Sequence, residues 1–337
     1  MAEAAALKGA IIGFGAVAEN AHAPAWKKLR GVSITAAADG SAERRAAAEK
    51  HFPGIRTYPD CDRLLREERE LDFVDIATPP HLHAELCLAA LRADRHVLCE
   101  KPLVLSRKDF ATLKNTAKKR GRALFTIHNW KYAPLFQKLR SLLDDGAIGA
   151  VQHLEWHVLR SQPSVVAGPA AKGNWRTDKK LSGGGILIDH GWHAFYLVAW
   201  LLDAIPRRSS GVLKFSGANG GGTDSEATCL IEFPRASAIV HLTWNAARRG
   251  HWGVLRGREG SIEILDDRLR VVRGGRPPHV FVFPEALSHG SAHPEWFHSM
   301  LEDFCAAVAD SRRRGRNIRE AEHCVSIIEN IYRQHAH

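Results

Sequence analysis

Three short segments of the sequence combine residue types that could act on a small molecule. The first is Gly13-Phe14-Gly15-Ala16-Val17-Ala18, a glycine pattern that directly follows an apolar run. In such a loop the first glycine permits a tight turn, and the second lets the backbone approach a pyrophosphate whose charge meets the free amides of the next helix. We therefore expect a dinucleotide-binding turn, with contacts from Gly13, Phe14, Gly15, Ala16 and Val17.

An acidic residue follows the glycine pattern at the spacing that a dinucleotide requires. Asp39 ends the next apolar run, about twenty residues further on, where a carboxylate can bind the hydroxyls of an adenosine ribose. Asp39 favours NAD, because its charge would repel the 2′-phosphate of NADP. Arg44 and Arg45 are close enough in the sequence to leave NADP open. The plain alternative is a glycine turn and a surface aspartate without any cofactor.

The second segment is Glu100-Lys101-Pro102, which comes directly after the apolar run at residues 96–99. In a parallel sheet the carboxyl ends of the strands face the ligand, so Lys101 would lie where a nicotinamide and a substrate hydroxyl meet. Proline restricts the residue before it and makes a cis peptide bond possible, which would fix the direction of the lysine. Taken alone, a Glu-Lys-Pro tripeptide is common on protein surfaces.

The third segment begins with three glycines, residues 183–185, and continues through Ile186 to His193. Asp189 and His193 are four positions apart, so one continuous helix would place them on the same face. A carboxylate beside an imidazole makes a base that can take a hydroxyl proton while hydride leaves the carbon. The glycines would let the backbone approach a cofactor closely. The alternative is a glycine turn, a carboxylate in the first helical turn and a buried histidine.

The first 128 residues contain alternating elements that would position the first two segments. Short apolar runs are separated by patterns with helical periodicity, and this alternation predicts a doubly wound parallel sheet of the Rossmann type. The predicted strands are residues 8–13, 32–39, 73–78, 96–99 and 123–128, and the predicted helices are residues 42–51, 84–92 and 108–120.

From about residue 150 the pattern changes to longer runs in which apolar residues alternate, which predicts an α+β domain with a large open, mostly antiparallel sheet. The glycine-rich stretch at residues 217–222 predicts a turn or a mobile loop. We expect domains at residues 1–128 and 129–337, with the late helices able to pack back on the first domain. The predicted strands are residues 151–159, 228–233, 238–244 and 261–265, and the predicted helices are residues 186–202, 295–310 and 320–334.

Composition narrows the classes of partner. The net charge of +10 is compatible with nucleic acid, a membrane surface or an anionic small molecule, but no base-reading motif accompanies it, so nucleic acid is not expected. The six cysteines form no CxxC pair, which favours reduced thiols in the cytoplasm and no metal site. No apolar run reaches the length of a membrane span. His81 and His83 lack metal-ligand partners, so we interpret them as residues of a cofactor pocket and its packing.

In this order and spacing the three segments resemble the Gfo/Idh/MocA family of glucose-fructose oxidoreductase and inositol dehydrogenase relatives. Residues 74–83 and 89–91, and Trp175-Arg176 ahead of the glycines, extend the likeness over nearly the whole chain. The resemblance implies a cis bond before Pro102, and dimers or tetramers formed through the open sheet. The stretch at residues 128–132 departs from the family pattern and leaves substrate contacts there open. The implied catalytic residues are Lys101, Asp189 and His193, and the implied neighbours of the nicotinamide are Thr78, Pro79, Glu100, Lys101, Asn129, Trp175 and Arg176.

The expected activity is hydride transfer between NAD, or NADP, and a secondary hydroxyl or ketone of a sugar, a sugar derivative or an inositol. An anionic substrate is compatible with the positive charge. One alternative is an NAD-dependent glycosidase on the same fold, which would release an aglycone without net accumulation of reduced cofactor. The other is a non-catalytic protein that senses NAD or binds nucleic acid, for which the charge is the only indication.

Overall fold

The computed structural model describes residues 6–164, 174–217, 222–290 and 293–335. The chain divides into two compact units. Among the described residues, unit 1 comprises residues 6–129 and 293–319, and unit 2 comprises residues 130–164, 174–217, 222–290 and 320–335. Most of the glycine-rich stretch predicted as a turn, residues 218–221, lies outside the described residues.

Unit 1 is built on a six-stranded sheet in which every pair of neighbouring strands is parallel, in the order β3-β2-β1-β4-β5-β6. This order, with strands added outward on both sides of β1, is the doubly wound arrangement that the sequence predicts. The strands are β1 (Leu7–Ile12), β2 (Val32–Ala38), β3 (Arg56–Tyr58), β4 (Phe73–Ile76), β5 (His96–Cys99) and β6 (Leu124–Thr126).

The helices of this sheet have conventional ends. Ser41 and Ser106 cap two of them, each accepting a backbone N–H from the first turn, and Gly121 ends one in the left-handed region at φ 62°. The glycine pattern is followed by a short π-helical turn, Ala18–His22, that leads into the first α-helix. The helices are α1 (Ala23–Lys28), α2 (Ala42–His51), α3 (Cys61–Glu67), α4 (His83–Arg92) and α5 (Arg107–Arg120).

Unit 2 contains an eight-stranded sheet in the order β14-β13-β12-β11-β7-β10-β9-β8. All neighbouring strands are antiparallel except β7 and β10, which run parallel. The prediction of a large, open, mostly antiparallel sheet is confirmed. The strands are β7 (Val151–Leu159), β8 (Arg208–Phe215), β9 (Asp224–Glu232), β10 (Ser237–Thr243), β11 (Gly250–Gly257), β12 (Gly260–Leu265), β13 (Arg268–Arg273) and β14 (His279–Val282).

The helix predicted over residues 186–202 is two helices, α8 (Ile186–Asp189) and α9 (Gly191–Leu202), separated at His190. Gly191 follows the junction, and glycine gives the backbone little preference for continuing a helix. Asp189 and His193 therefore belong to different helices. The other helices of the chain are α6 (Pro134–Asp144), α7 (Lys179–Ser182), α10 (Pro294–Ala309) of unit 1 and α11 (Gly315–Arg333), whose residues from Glu320 belong to unit 2.

Gly184 and Gly185 are required by the packing of unit 2 itself. A Cβ atom at Gly184 would lie 2.0 Å from the hydroxyl of Tyr332, and one at Gly185 would lie 1.8 Å from the carbonyl oxygen of Asp224. The buried Asp224 carboxylate accepts the N–H groups of Gly185 and Leu187 at 2.8 Å and the Tyr332 hydroxyl at 2.6 Å. These contacts hold the start of α8 against β9, and they give the glycines a reason other than the cofactor approach expected from the sequence.

Replacing Gly185 with alanine should destabilise the protein by about 3 kcal/mol, because a methyl group there overlaps backbone that cannot move without breaking the Asp224 contacts. Chemical denaturation of both proteins measures the loss. Gly250→Ala is the matched control, since no atom lies within 4 Å of a Cβ at that position. Equal stabilities of the two variants would contradict this packing argument.

Candidate active site

The turn after β1 has the shape that a pyrophosphate requires. Gly13 has φ 86°, a left-handed conformation that favours glycine, and a Cβ on it would lie 2.7 Å from Cγ2 of Thr78. A Cβ on Gly15 would meet no atom within 4 Å, so this second glycine faces open space. The turn thus offers a cradle that a side chain would fill, and the residues present fit a dinucleotide.

The Asp39 carboxylate fastens this turn from the end of β2. One of its oxygens accepts the N–H of Phe14 at 2.8 Å, and the other accepts the N–H of Ser41 at the same distance. Each carboxylate oxygen can accept more than one hydrogen bond, so Asp39 can hold the turn and still bind a ribose hydroxyl. The carboxylate is half-buried at the edge where the sequence places it.

The two arginines that left NADP open are engaged elsewhere in unit 1. Arg44 lies 3.2 Å from a carboxylate oxygen of Glu19, and Arg45 donates to the backbone carbonyls of Asp39 and Gly40 at 2.8 Å and 3.3 Å. Both arginines thus have partners within unit 1, and the end of β2 carries the Asp39 carboxylate, which favours NAD.

The Lys101–Pro102 peptide bond is cis, as the sequence and the resemblance led us to expect. His83 connects this peptide to the end of β4, because its Nδ1 lies 2.7 Å from the carbonyl oxygen of Pro102 and its Nε2 lies 2.8 Å from that of Thr78. Burial lowers the pKa of His83 below its ordinary value. His83 therefore braces the wall beside Lys101, the packing role that its position in the sequence suggested.

The buried polar atoms at this edge of unit 1 that have no hydrogen-bond partner within the described part of the chain include Oγ1 of Thr78 and Oδ1 of Asn129. A buried polar group without a partner costs free energy, so such groups mark places where a ligand completes the structure. Both residues were implied by the resemblance as neighbours of the nicotinamide. Their unsatisfied atoms are a second sign that a cofactor fits here.

A buried cluster behind Glu100 escaped the sequence analysis. His22 lies between the carboxylates of Asp75 and Glu100, with Nδ1 2.8 Å from Asp75 and Nε2 3.0 Å from Glu100. The indole of Trp26 donates to the same Asp75 oxygen at 2.7 Å, and Glu100 accepts the backbone N–H of Lys101 at 2.9 Å. The one indication in the sequence was Asp75, because a charged residue inside an otherwise apolar strand must be paired when it is buried.

In unit 2 Asp189 and His193 make contacts that the sequence analysis did not anticipate. The carboxylate of Asp189 lies 3.3 Å from Nδ1 of His190 and 3.8 Å from Nε of Arg176. His193 is buried, and its Nδ1 lies 3.1 Å from the hydroxyl of Tyr196. Its ring stacks on the indole of Trp130, with ring centroids 4.4 Å apart.

Trp130 and Tyr196 were not predicted as site residues. Tyr196 also accepts the backbone N–H of Trp130 at 3.0 Å, so the two aromatic residues are joined to each other and both fix the position of the His193 ring. Trp130 belongs to the stretch that departs from the family pattern, which was the one available signal. Trp175 and Arg176 form a half-buried pair in which the guanidinium carbon lies 4.4 Å from the centroid of the indole ring.

A buried polar chain runs beside Asp189 in unit 2. Arg160 donates from Nη2 to Nε2 of His251 at 2.9 Å, and Nδ1 of His251 lies 3.2 Å from Asp266. Because arginine can only donate, His251 must accept at Nε2 and carry its proton on Nδ1. Burial and the charge of Arg249 lower the pKa of Arg160 to about 9, against the opposing charges of Asp189 and Asp266.

The structure thus brings the predicted site residues together in two groups. Unit 1 gathers Gly13, Phe14, Asp39, Thr78, His83, Glu100 and Lys101 at the carboxyl ends of β1, β2, β4 and β5. Pro79, Gly15, Ala16 and Val17 lie in the same loops, and Asn129 ends the unit. Unit 2 gathers Arg176 and Asp189, with Trp175 on Arg176 and His193 in the next helix.

Within the described ranges, no helix is long and apolar enough to cross a membrane. The same ranges hold no group of three or more histidine, cysteine, aspartate or glutamate side chains that could bind a metal ion. All six cysteines are free thiols.

The parallel sheet, its glycine turn and the acidic residue after β2 define a dinucleotide-binding domain of the Rossmann type, followed by an α+β domain. Residues 7–128 match a family model described as an oxidoreductase family with an NAD-binding Rossmann fold, and residues 136–263 match the GFO/IDH/MocA C-terminal domain. The chain belongs to the GFO/IDH/MocA oxidoreductase family.

Relatives of the chain include sugar-modifying enzymes. It is 31% identical to a dTDP-3,4-didehydro-2,6-dideoxy-alpha-D-glucose 3-reductase of Streptomyces violaceoruber, over 81% of this chain and 76% of that protein. It is 29% identical to a levoglucosan dehydrogenase of Pseudarthrobacter phenanthrenivorans, over 68% of this chain and 64% of that protein, slightly less than two thirds of the relative. The solved structure of a levoglucosan dehydrogenase with NADH and levoglucosan has the same fold, with a TM-score of 0.83, 22% identity and coverage of 97% and 96% of the two chains.

His251 should make the protein sensitive to acid. Burial lowers the pKa of His251 to about 3, so between pH 6.5 and 3 the unfolded chain binds a proton that the folded chain does not. The free energy of unfolding should therefore fall as the pH falls through this range. In His251→Gln this dependence should be shallower by about 1.4 kcal/mol per pH unit. Urea titrations at several pH values measure the slope, and equal slopes would contradict a neutral His251.

Proposed function

We propose that the protein is an NAD-dependent dehydrogenase or reductase that acts on a secondary hydroxyl or ketone of a sugar, a sugar derivative or an inositol. The observation that carries the proposal is the position of Lys101, which follows β5 in the unit that also holds the glycine turn and Asp39. The named activities of its relatives, a sugar nucleotide reductase and a levoglucosan dehydrogenase, support the substrate class. We divide the chain at residue 128, with cofactor binding before it and substrate binding after it.

In the proposed reaction, NAD held at the glycine turn and Asp39 would supply the acceptor for hydride from the substrate carbon, or the hydride donor in the reverse direction. Lys101 stabilises the oxygen of that carbon as negative charge develops, since an ammonium group favours an alkoxide over a neutral hydroxyl. His193 exchanges the hydroxyl proton, and we assign this transfer to Nε2 because Nδ1 faces the Tyr196 hydroxyl. Asp189 supplies the negative charge that stabilises the protonated ring, and its contacts with His190 and Arg176 fix where that charge lies.

NAD is the cofactor that the residues of unit 1 favour. Thr78, Pro79, Asn129, Trp175 and Arg176 are the proposed neighbours of the nicotinamide and its ribose. The unsatisfied buried oxygens of Thr78 and Asn129 support this assignment. Asp39 is the proposed partner of the adenosine ribose.

An anionic substrate fits the charge of unit 2. Arg160 is buried, and its Nε has no hydrogen-bond partner within the described part of the chain. The charges of Asp189 and Asp266 offset its burial only in part, since the pKa of Arg160 is lowered, and a buried guanidinium is costly unless it is compensated. We therefore propose an acidic or phosphorylated sugar as the substrate, in preference to a neutral sugar. We propose no nucleic-acid partner.

We further propose that the protein forms homodimers or homotetramers through the open face of its eight-stranded sheet. The strand pairings place Trp252 opposite His157 and Leu265, and they align Val212 and Val282 in the same row across the sheet. The exposed row includes apolar side chains, and the next row on this face adds Leu230 and Val280. In both rows the exposed apolar residues alternate with polar and charged ones, Arg268 and Glu155 among them, and a mixed surface with large exposed apolar side chains is compatible with an interface between copies.

We also propose that the protein works in the cytoplasm, because its six cysteines are free thiols, as is typical of a reducing compartment.

Trp252→Glu should shift the protein towards the monomer, because it places a charge in the middle of the proposed interface. Light scattering coupled to size-exclusion chromatography measures the mass. Ile205→Glu is the matched control, since Ile205 is an exposed apolar residue outside the sheet, in the segment between α9 and β8. A monomeric native protein, or an unchanged mass for Trp252→Glu, would contradict the proposed interface.

Lys101→Ala should abolish turnover, with a loss of about a thousandfold or more, while NAD still binds. Reduction of NAD in the presence of inositols, neutral sugars, uronic acids and sugar phosphates identifies the substrate, and fluorescence quenching reports cofactor binding. Lys108→Ala is the control, because Lys108 is exposed at the start of α5. Native-like turnover by Lys101→Ala would refute the proposed function.

A further inference from the structure

A charged cluster lies inside unit 1, behind the segment that carries Lys101. It consists of His22 in the π-helical turn, Asp75 in β4 and Glu100 at the end of β5. The side chains of His22 and Asp75 are fully buried, and that of Glu100 is 13% exposed. Burying charged groups is costly unless they are paired in good geometry, so a cluster of this kind needs a reason.

The contacts of His22 indicate an imidazolium. Its two ring nitrogens lie 2.8 Å and 3.0 Å from oxygens of two carboxylates, and a carboxylate accepts hydrogen bonds but does not donate them. Both nitrogens must therefore carry a proton. Burial alone would lower the pKa of His22, but the charges of Asp75 and Glu100 outweigh it and raise the pKa to about 10.

Other groups also contact the cluster, while Oδ1 of Asp75 is buried without a hydrogen-bond partner among the described residues. Trp26 donates its indole N–H to Asp75, and the ring of Phe297 from α10 lies 4.8 Å from the imidazole ring, measured between centroids. Burial would raise the pKa of Glu100, but the hydrogen bond and charge of His22 and the charge of Lys101 lower it. Glu100 is thus held as a carboxylate by two cations.

Glu100 passes this restraint on to Lys101. One carboxylate oxygen of Glu100 is held by His22, and the other accepts the backbone N–H of Lys101 at 2.9 Å. His22 itself belongs to the helix that begins at the glycine turn, where the Glu19 N–H donates to the carbonyl of Gly15 at 2.9 Å. Two side chains, those of His22 and Glu100, therefore connect the helix of the dinucleotide turn to the peptide of the lysine.

We infer that His22 is a positioning residue: held as a cation between Asp75 and Glu100, it fixes the backbone of Lys101 relative to the turn that binds the cofactor. The inference rests on the proposed function, since it gives His22 a role through Lys101. The effect of His22 on catalysis comes from the geometry and ionisation of Glu100.

His22→Gln tests the inference, because glutamine can donate to one carboxylate but brings no charge. The pKa of Glu100 should rise when the cation is removed, and a protonated Glu100 holds the Lys101 amide less well. We expect kcat to fall about tenfold at pH 7 and to recover as the pH rises and Glu100 ionises, whereas KM for NAD changes by less than about twofold. The native enzyme should lack this ionisation in the pH profile of kcat.

His96→Gln is the matched control for loss of a buried histidine in unit 1. His96 accepts the N–H of Ala123 at its Nδ1, and burial lowers its pKa to about 4, so it is neutral and makes no link to Glu100. This variant should keep the native shape of the pH profile. The same new ionisation in His96→Gln would show a general effect of destabilisation and overturn the inference.

Two measurements need no substrate. In ¹⁵N-histidine NMR of the whole protein, the ring assigned to His22 by its absence in His22→Gln should show two protonated nitrogens at pH 8.5. Amide hydrogen exchange at Lys101 should be at least about tenfold faster in His22→Gln than in His96→Gln. A neutral His22 ring, or equal exchange rates, would overturn the inference whatever the substrate. Turnover by Lys101→Ala would instead refute the proposed function and leave these two measurements standing.

Discussion

At the carboxyl edge of the parallel sheet the backbone leaves its ladder of hydrogen bonds, and its polar groups there need other partners. Side chains supply them in unit 1. Asp39 accepts the amides of Phe14 and Ser41, Glu100 accepts the amide of Lys101, and His83 contacts two carbonyl groups. The loops that form the proposed cofactor site therefore owe their shape to a small number of charged and polar groups. The same groups set the charge and the hydrogen-bonding capacity of this edge.

In unit 2, too, buried polar side chains hold backbone that lies at the edge of a regular element. Its helices α8 and α9 begin at a place where glycine backbone is packed against Asp224 and Tyr332, so the start of α8 depends on a buried carboxylate rather than on helix propensity. The proposed base, His193, lies in α9 and is held by aromatic residues. Asp189 precedes it on the other side of the helix break, next to Arg176 and His190.

Much of the fold followed from local patterns in the sequence. Strands β1, β2, β4, β5 and β6 and helices α2, α4 and α5 were predicted within a few residues, because a buried parallel strand and an amphipathic helix each leave a periodic signal. Strand β3 has three residues, too few for a period to show, and it was missed. The open sheet was predicted as a class, but β8, β11, β13 and β14 were not. The break at His190 was missed because the apolar residues run on across it.

The site was predictable only where its residues are neighbours in the sequence. The glycine turn and Glu100-Lys101-Pro102 are such groups, and the structure gives each of them a defined place in unit 1. His22 meets Asp75 and Glu100 only through the fold, across 53 and 78 positions, and no local pattern indicates that pairing. Trp130 and Tyr196 are likewise 66 positions apart. The reason for Gly184 and Gly185 was also hidden, since it depends on Tyr332 and Asp224, which lie far along the chain.

The double use of Asp39 restricts how this protein could change its cofactor. The usual route from NAD to NADP replaces the acid after the second strand with a small or basic residue. Here that exchange would also remove the acceptor of the Phe14 and Ser41 amides. The described contacts of these two amides include no other side-chain acceptor. Coenzyme preference and the integrity of the phosphate loop are thus inherited together. A lineage that switched coenzyme would need a second substitution that restores an acceptor before the first became tolerable.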